Sequence, residues 1–222
     1  GKVLEMRDNQ LLGFGLVGVF LGISYTAAPL QLSYKGFGDI GVMLGFGPIM
    51  ALGTHYVQKQ ALFPFEHWHF VPVLLASLPI AILIGLVLFI NGFQDYKADK
   101  EVGKRTWIVR MAEGSDIADY KKPFIVYKFA LYFTFIYISL LGLIGLGSSG
   151  FSTPFVLIAL LPGVLAWKAI SMGEEWLVRW VDDTEDREKL PYELLLVNVC
   201  TIGTHFSVAI LLSVGYFLGT IL

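Results

Sequence analysis

Six long apolar runs decide what this chain can become. Residues 11–28, 40–57, 71–93, 124–146, 153–170 and 194–222 are almost free of charge. At 1.5 Å rise per residue a helix needs about 20 apolar residues to cross a hydrocarbon core of roughly 30 Å. Lipid offers an open backbone no hydrogen-bond partner, so each run satisfies itself most simply as a helix. The pattern predicts an all-α, multi-spanning membrane bundle of six transmembrane helices. It forms one membrane domain over residues 1–222, with a cap loop at 94–123 and an interfacial segment at 173–192.

Composition agrees. The chain is 55% apolar and only 15% charged, with mean hydropathy +0.67, whereas soluble domains carry roughly a quarter charged residues. A disordered chain, a basic nucleic-acid binder and a disulfide scaffold are excluded. The net charge of −2 gives a polyanion nothing to hold, and Cys200, the single cysteine, has no intrachain partner. The first ten residues mix charges and run directly into a full-length span, so no secretory leader is expected.

Basic residues orient the bundle. Threading six spans places thirteen of the sixteen lysines and arginines on the side of the connections after spans one, three and five; only Lys2, Arg7 and Lys59 lie opposite. The positive-inside rule makes the first side cytoplasmic and turns both ends of the chain outward. An outward, mixed-charge start reads as an internal connection of a longer membrane protein.

Chemistry concentrates where the third span ends. Asn91, Asp95 and Asp99 stand at i, i+4 and i+8 and share one helix face. Two carboxylates and an amide oxygen suit Mg²⁺, which keeps several waters and bridges carboxylates to phosphate oxygens. Taken alone, the spacing is more often a solvated helix end. Lys104, Arg105 and Arg110 follow at once, and cations beside metal-binding acids form the two halves of a diphosphate site.

Residues 91–110, NGFQDYKADKEVGKRTWIVR, resemble the second aspartate-rich motif of the UbiA superfamily of intramembrane prenyltransferases. Residues 25–53, YTAAPLQLSYKGFGDIGVMLGFGPIMALG, resemble the segment entering the fifth helix of the dihydroxynaphthoate polyprenyltransferases of menaquinone synthesis. Glu188-Lys189-Leu190-Pro191, Asn198 and His205 fit that branch more loosely. Members of the family have nine spans, with a first acidic motif, N-D-x-x-D, at the end of the second. The six spans here align with helices four to nine, so the chain is expected to be the C-terminal two-thirds of a member, in a prokaryotic cytoplasmic membrane with the acidic motif facing the cytoplasm.

The resemblance implies roles. A prenyl diphosphate ionises to an allylic cation that is captured by an aromatic, quinone-precursor ring. Asp95 and Asp99 would bind one Mg²⁺ with help from Asn91; Lys35, Lys104 and Arg105 would meet the diphosphate; Tyr25 would line the acceptor end. Apolar helix faces would sheath the isoprenoid tail. Partners are then prenyl diphosphate, the aromatic acceptor, membrane lipid, and either the remaining helices or another membrane subunit. The alternative is a non-catalytic UbiA-like subunit that binds quinone, prenyl lipid or pigment in a larger complex. A transporter ranks third, because no pair of interrupted helices marks a midplane site.

Other features weigh less. Asp182, Asp183, Glu185 and Asp186 lie in the run from residue 173 to 192, which alternates Trp176, Leu177 and Trp180 with charges as an interfacial helix does. Glu66, His67 and His69 offer metal-ligand chemistry but sit among Phe63, Phe65, Trp68 and Phe70, the composition of an aromatic belt. His205 should face the bundle. Gly15, Gly18 and Gly22 suit close helix packing.

Overall fold

The computed structural model describes residues 2–62, 70–114, 118–147, 150–181 and 190–222, with side chains from residue 11 onward except 60–62. Helix follows helix. In chain order these are α1 (Lys2–Thr26), α2 (Gly38–Leu44), α3 (Met50–Leu62), α4 (Phe70–Glu101), α5 (Trp107–Ala112), α6 (Lys121–Leu146), α7 (Gly163–Val181), α8 (Leu190–Glu193) and α9 (Leu195–Ile221). A π-helical turn, Gly45–Ile49, joins α2 to α3 around Pro48. That ring brings no N–H, so the i→i−4 ladder cannot continue unaltered there.

Five helical stretches among the described residues are long and apolar enough to cross a membrane: Gly38–Lys59, Phe70–Glu101, Lys121–Leu146, Pro154–Val181 and Leu190–Ile221. The apolar part of α1, Leu11–Thr26, is shorter. Together they make an all-helical, multi-pass membrane fold. Its outer face is apolar, as lipid requires: Phe20, Phe129, Ile136, Leu161, Trp167, Phe206 and Phe217 are all exposed.

α4 is the axis. It packs against α2, the π turn, α6 and α9, burying Leu83, Leu86, Phe89, Ile90 and Phe93. Lipid tails are as apolar as leucine, so close approach and hydrogen bonds hold the helices together more than the hydrophobic effect does. A short 3₁₀ segment, Pro154–Leu160, runs so close to its neighbours that a Cβ on Gly145 would lie 2.3 Å from the Thr153 carbonyl carbon and one on Gly215 2.7 Å from the Phe155 oxygen. Polar side chains pair across the interior. Tyr127 and Thr201 join hydroxyls at 2.6 Å, and Tyr137 donates to the Leu75 carbonyl at 3.1 Å.

Several expectations shift. α4 continues to Glu101 and so takes in residues 94–101 of the expected cap loop, and α5 occupies part of the remainder. Of the segment 173–192 the structure describes the two ends: α7 runs on to Val181, with Trp176 and Trp180 only 4% and 8% exposed. Their rings stack with centroids 5.6 Å apart, and both meet Tyr120. Each indole N–H is used, Trp176 donating to Leu190 O at 2.7 Å and Trp180 to Ala118 O at 2.9 Å. These aromatics are part of the buried core. Tyr120 also donates to Phe93 O at 3.3 Å; burial, and after it nearby Tyr96, raises the pKa of its hydroxyl and keeps it neutral.

Among the described residues nothing packs closely on Gly15, Gly18 or Gly22: a Cβ on any of them would meet no atom within 4 Å. His205 is half-buried, its Nδ1 enclosed without a hydrogen-bond partner among the described residues. The Glu66–His69 cluster and the acids at 182–186 lie outside the described residues.

Candidate active site

Leu88, Gly92, Asp95 and Asp99 follow one another at helical spacing along a single face of α4, and all four line a cavity of about 120 Å³. The helix is ended by chemistry written in its sequence. Gly103 sits at φ +75 and donates its N–H to Lys100 O at 3.2 Å, while Lys104 N reaches back to Asp99 O at 2.9 Å. That pair of bonds around a left-handed glycine is a Schellman C-cap. It folds the next residue over the acids, so Lys104 Nζ donates to Asp99 Oδ1 at 2.7 Å.

Asp99 is buried at 8% exposure. The hydrogen bond to Asp99, outweighing partial burial, raises the pKa of the Lys104 ammonium. Lys104 therefore stays cationic through the whole ordinary pH range. It also lies 5.7 Å from the centre of the Tyr34 ring.

Two straps complete the walls. The chain leaving α1 is tied back by Ser33, whose hydroxyl donates to Tyr25 O at 2.7 Å. The chain leaving α4 is capped into α5 by Thr106, which accepts from Val109 N at 3.3 Å. Arg105 N donates to Tyr34 O at 2.7 Å and Arg110 Nη2 to Lys35 O at 2.6 Å, stapling strap to strap. Gly36, at φ +79, lies in the seam; a Cβ there would stand 2.6 Å from Arg105 O.

Among the expected site residues, the structure brings Tyr25, Asp95, Asp99 and Lys104 into one cavity. It sets the others apart. Asn91 accepts a hydrogen bond from Asn198 of α9 and does not line the cavity. Lys35 Nζ is spent on Pro29 O at 2.7 Å, and Arg105 pairs with Glu113 at 3.0 Å on the exposed side of the strap. Ser33, Asp39, Thr106 and Trp107 also line the cavity, and none was singled out from sequence. Asp39 did leave a signal, being an ionisable residue at the threshold of an apolar span.

Three carboxylates and one lysine line this space, and the lysine is paired with Asp99. Such an excess of negative charge accommodates a divalent cation. Among the described residues no three of His, Cys, Asp and Glu converge as a ready-made metal cage. Mg²⁺ does not need one, because it retains waters and takes the rest of its shell from phosphate oxygens; Asp95 and the free oxygen of Asp99 fit that requirement. Beyond Tyr25 the surroundings turn apolar. Tyr25 also borders a second space of about 490 Å³ between α1 and α2, walled by Gly18, Gly22, Gly41, Phe46 and Met50. Phe46 and Met50 in turn border a groove of about 780 Å³ against α4 and α9.

Comparison with known proteins agrees with this architecture. Residues 6–189 match the UbiA prenyltransferase family. The chain is 34% identical over 149 residues to UbiA prenyltransferase domain-containing protein 1 of Dictyostelium discoideum, covering 64% of the chain and 41% of that relative. It is 32% identical over 107 residues to the 1,4-dihydroxy-2-naphthoate octaprenyltransferase of Escherichia coli strain K12, covering 47% of the chain and 32% of the relative. Against the 2-carboxy-1,4-naphthoquinone phytyltransferase of Synechocystis it is 30% identical over 102 residues, covering 46% and 30%. The matches thus span well under half the length of these curated relatives. No solved structure matches. With the family pattern running through α1 to α7 and the acid-bearing face of α4 inside it, the chain belongs to the UbiA prenyltransferase family.

Proposed function

We propose that this chain supplies the diphosphate-binding part of an Mg²⁺-dependent enzyme that transfers a polyprenyl group to an aromatic quinone precursor of the naphthoate type. One observation carries the reading: Asp95, Asp99 and Lys104 line a single cavity with Tyr25, which also borders an apolar space. A polar head and an apolar tail are thereby served by adjoining compartments. The naphthoate-directed relatives point the same way for the acceptor.

The chemistry follows from the residues. The barrier to ionising an allylic diphosphate is charge separation, and fixed charges placed where the diphosphate accumulates charge lower it. Bound Mg²⁺ would supply Lewis-acid neutralisation of the departing oxygens. Asp95 and Asp99 hold the metal, and Lys104 stays protonated to donate to phosphate oxygen. The Tyr25 ring presents a π face toward the allylic fragment. Apolar walls beyond it exclude water, which would otherwise capture the cation. The asymmetry of basic residues supports an acidic face turned toward the cytoplasm; in this reading the membrane is a prokaryotic one, and helices outside this chain, or another subunit, close the open side.

The test is transfer in nanodiscs, with a polyprenyl diphosphate and 1,4-dihydroxy-2-naphthoate as substrates. Product should form with Mg²⁺, stop on chelation with EDTA and return when Mg²⁺ is restored in excess. Product formed equally well in EDTA, or none under any condition, would reject the reading.

A further inference from the structure

The third carboxylate of the cavity, Asp39, is not one of the two assigned to hold the metal. Asp39 opens α2 and lines the cavity with Asp95 and Asp99, yet the three acids do not gather as a metal-binding group. No lysine or arginine among the described residues pairs with it, whereas Asp99 has Lys104. Its setting is the Tyr25 wall: a Cβ on Gly38, the residue before it, would lie 3.4 Å from Tyr25 Cε2 and 3.1 Å from Ser33 Cα. Tyr25, which lines this cavity together with Asp39, is also the residue that borders the apolar space. The titratable and charged groups around that space are Tyr25 from α1, Asp95 and Asp99 from α4, and Lys104 from the strap.

A half-buried carboxylate without a cation is a poor anchor for phosphate, which it repels, and a good acceptor for a hydroxyl proton. We propose that Asp39 is a catalytic base that takes the hydroxyl proton of the aromatic acceptor. This rests on the prenyl-transfer reading above. As the acceptor O–H bond breaks, its proton passes to a carboxylate oxygen of Asp39 and the electron pair stays on the ring oxygen. The ring carbon beside that oxygen then forms the C–C bond to the allylic carbon, whose bond to diphosphate breaks with the electron pair leaving on diphosphate. The alkylated carbon next sheds a proton to diphosphate or, where it bears a carboxylate, carbon dioxide. The electrons left behind restore the aromatic ring, and Asp39 returns its proton to the ring oxygen. Atoms and charge balance without a further reagent.

Asp39→Asn and Asp39→Glu in the nanodisc-embedded protein test this. The asparagine variant should lose about 100-fold in kcat, the usual scale of a general base, while binding a non-hydrolysable prenyl thiodiphosphate as the parent does and requiring the same Mg²⁺ concentration. The deficit should shrink with acceptors whose hydroxyl is more acidic, since they need less help in losing the proton, and Asp39→Glu should recover part of the rate. An unchanged kcat, a deficit equal for all acceptors, or a raised Mg²⁺ requirement as the main effect would each overturn the assignment while leaving the transfer reading intact. If the parent protein transfers nothing, the underlying reading falls and takes this one with it.

Discussion

Replacing both Asp95 and Asp99 by asparagine is expected to lower prenyl transfer by about 1,000-fold, because a preorganised charge at the departing group accounts for roughly 10²–10³ in rate and here two are removed together. Asparagine keeps the volume and a polar tip, so packing in α4 is preserved and the change is electrostatic. Asp95 is exposed, and its loss should leave folding untouched. Asp99 is buried and paired with Lys104, but the lysine side chain is 31% exposed and can turn to water, which limits the cost of breaking the pair. Thermal unfolding in detergent should therefore stay within a few degrees of the parent while the initial rate collapses. Transfer that survives the double change would reject these carboxylates as the metal-holding pair.

Gly36→Val should be nearly as damaging, though Gly36 bears no functional group. Its φ of +79 lies in the left-handed region, where an L side chain costs roughly 1–2 kcal/mol and a β-branched one more. The new Cβ would also meet Arg105 O at 2.6 Å and the Arg110 guanidinium carbon at 3.1 Å, so the straps would have to part. Lys104 is the next residue back from Arg105, and displacing a catalytic group by ~1 Å can cost about 100-fold in rate. Gly103→Ala is the matching control. Gly103 has the same kind of φ, +75, but its Cβ would meet nothing within 4 Å, leaving backbone strain alone. A kcat/KM for Gly36→Val no lower than that of Gly103→Ala would mean that the strap-to-strap seam does not position the site.

Much of this protein is legible in one dimension because lipid is an undemanding solvent to read. Apolar run length alone marks α4, α6 and α9, since an unpaired backbone cannot exist in hydrocarbon. The Asp95–Asp99 pair is legible for a similar reason: on a helix, spacing is geometry, and four residues bring two side chains to one face. Both steps need only local periodicity. Less is legible where a side chain can be satisfied by more than one environment. Trp176 and Trp180 alternate with charges as an interfacial helix would; in the fold their indoles find carbonyls at Leu190 and Ala118, stack on each other and meet Tyr120 at an angle. Asn91 shares a sequence register with the acids, yet it is held by Asn198, a partner 107 residues away.

What the sequence determined by itself is the solvent, the helices and the acidic face of α4, all consequences of hydrophobic run length and a 3.6-residue period. Only the tertiary structure decided which cations reach that face. Lys104 does so because a left-handed glycine folds it back, whereas Lys35 and Arg105 are drawn off by Pro29 and Glu113. Asp39 joins the cavity through the docking of α2 on α4. Side-chain direction at a helix end or on a strap depends on which distant partner satisfies it, and no local pattern encodes that choice.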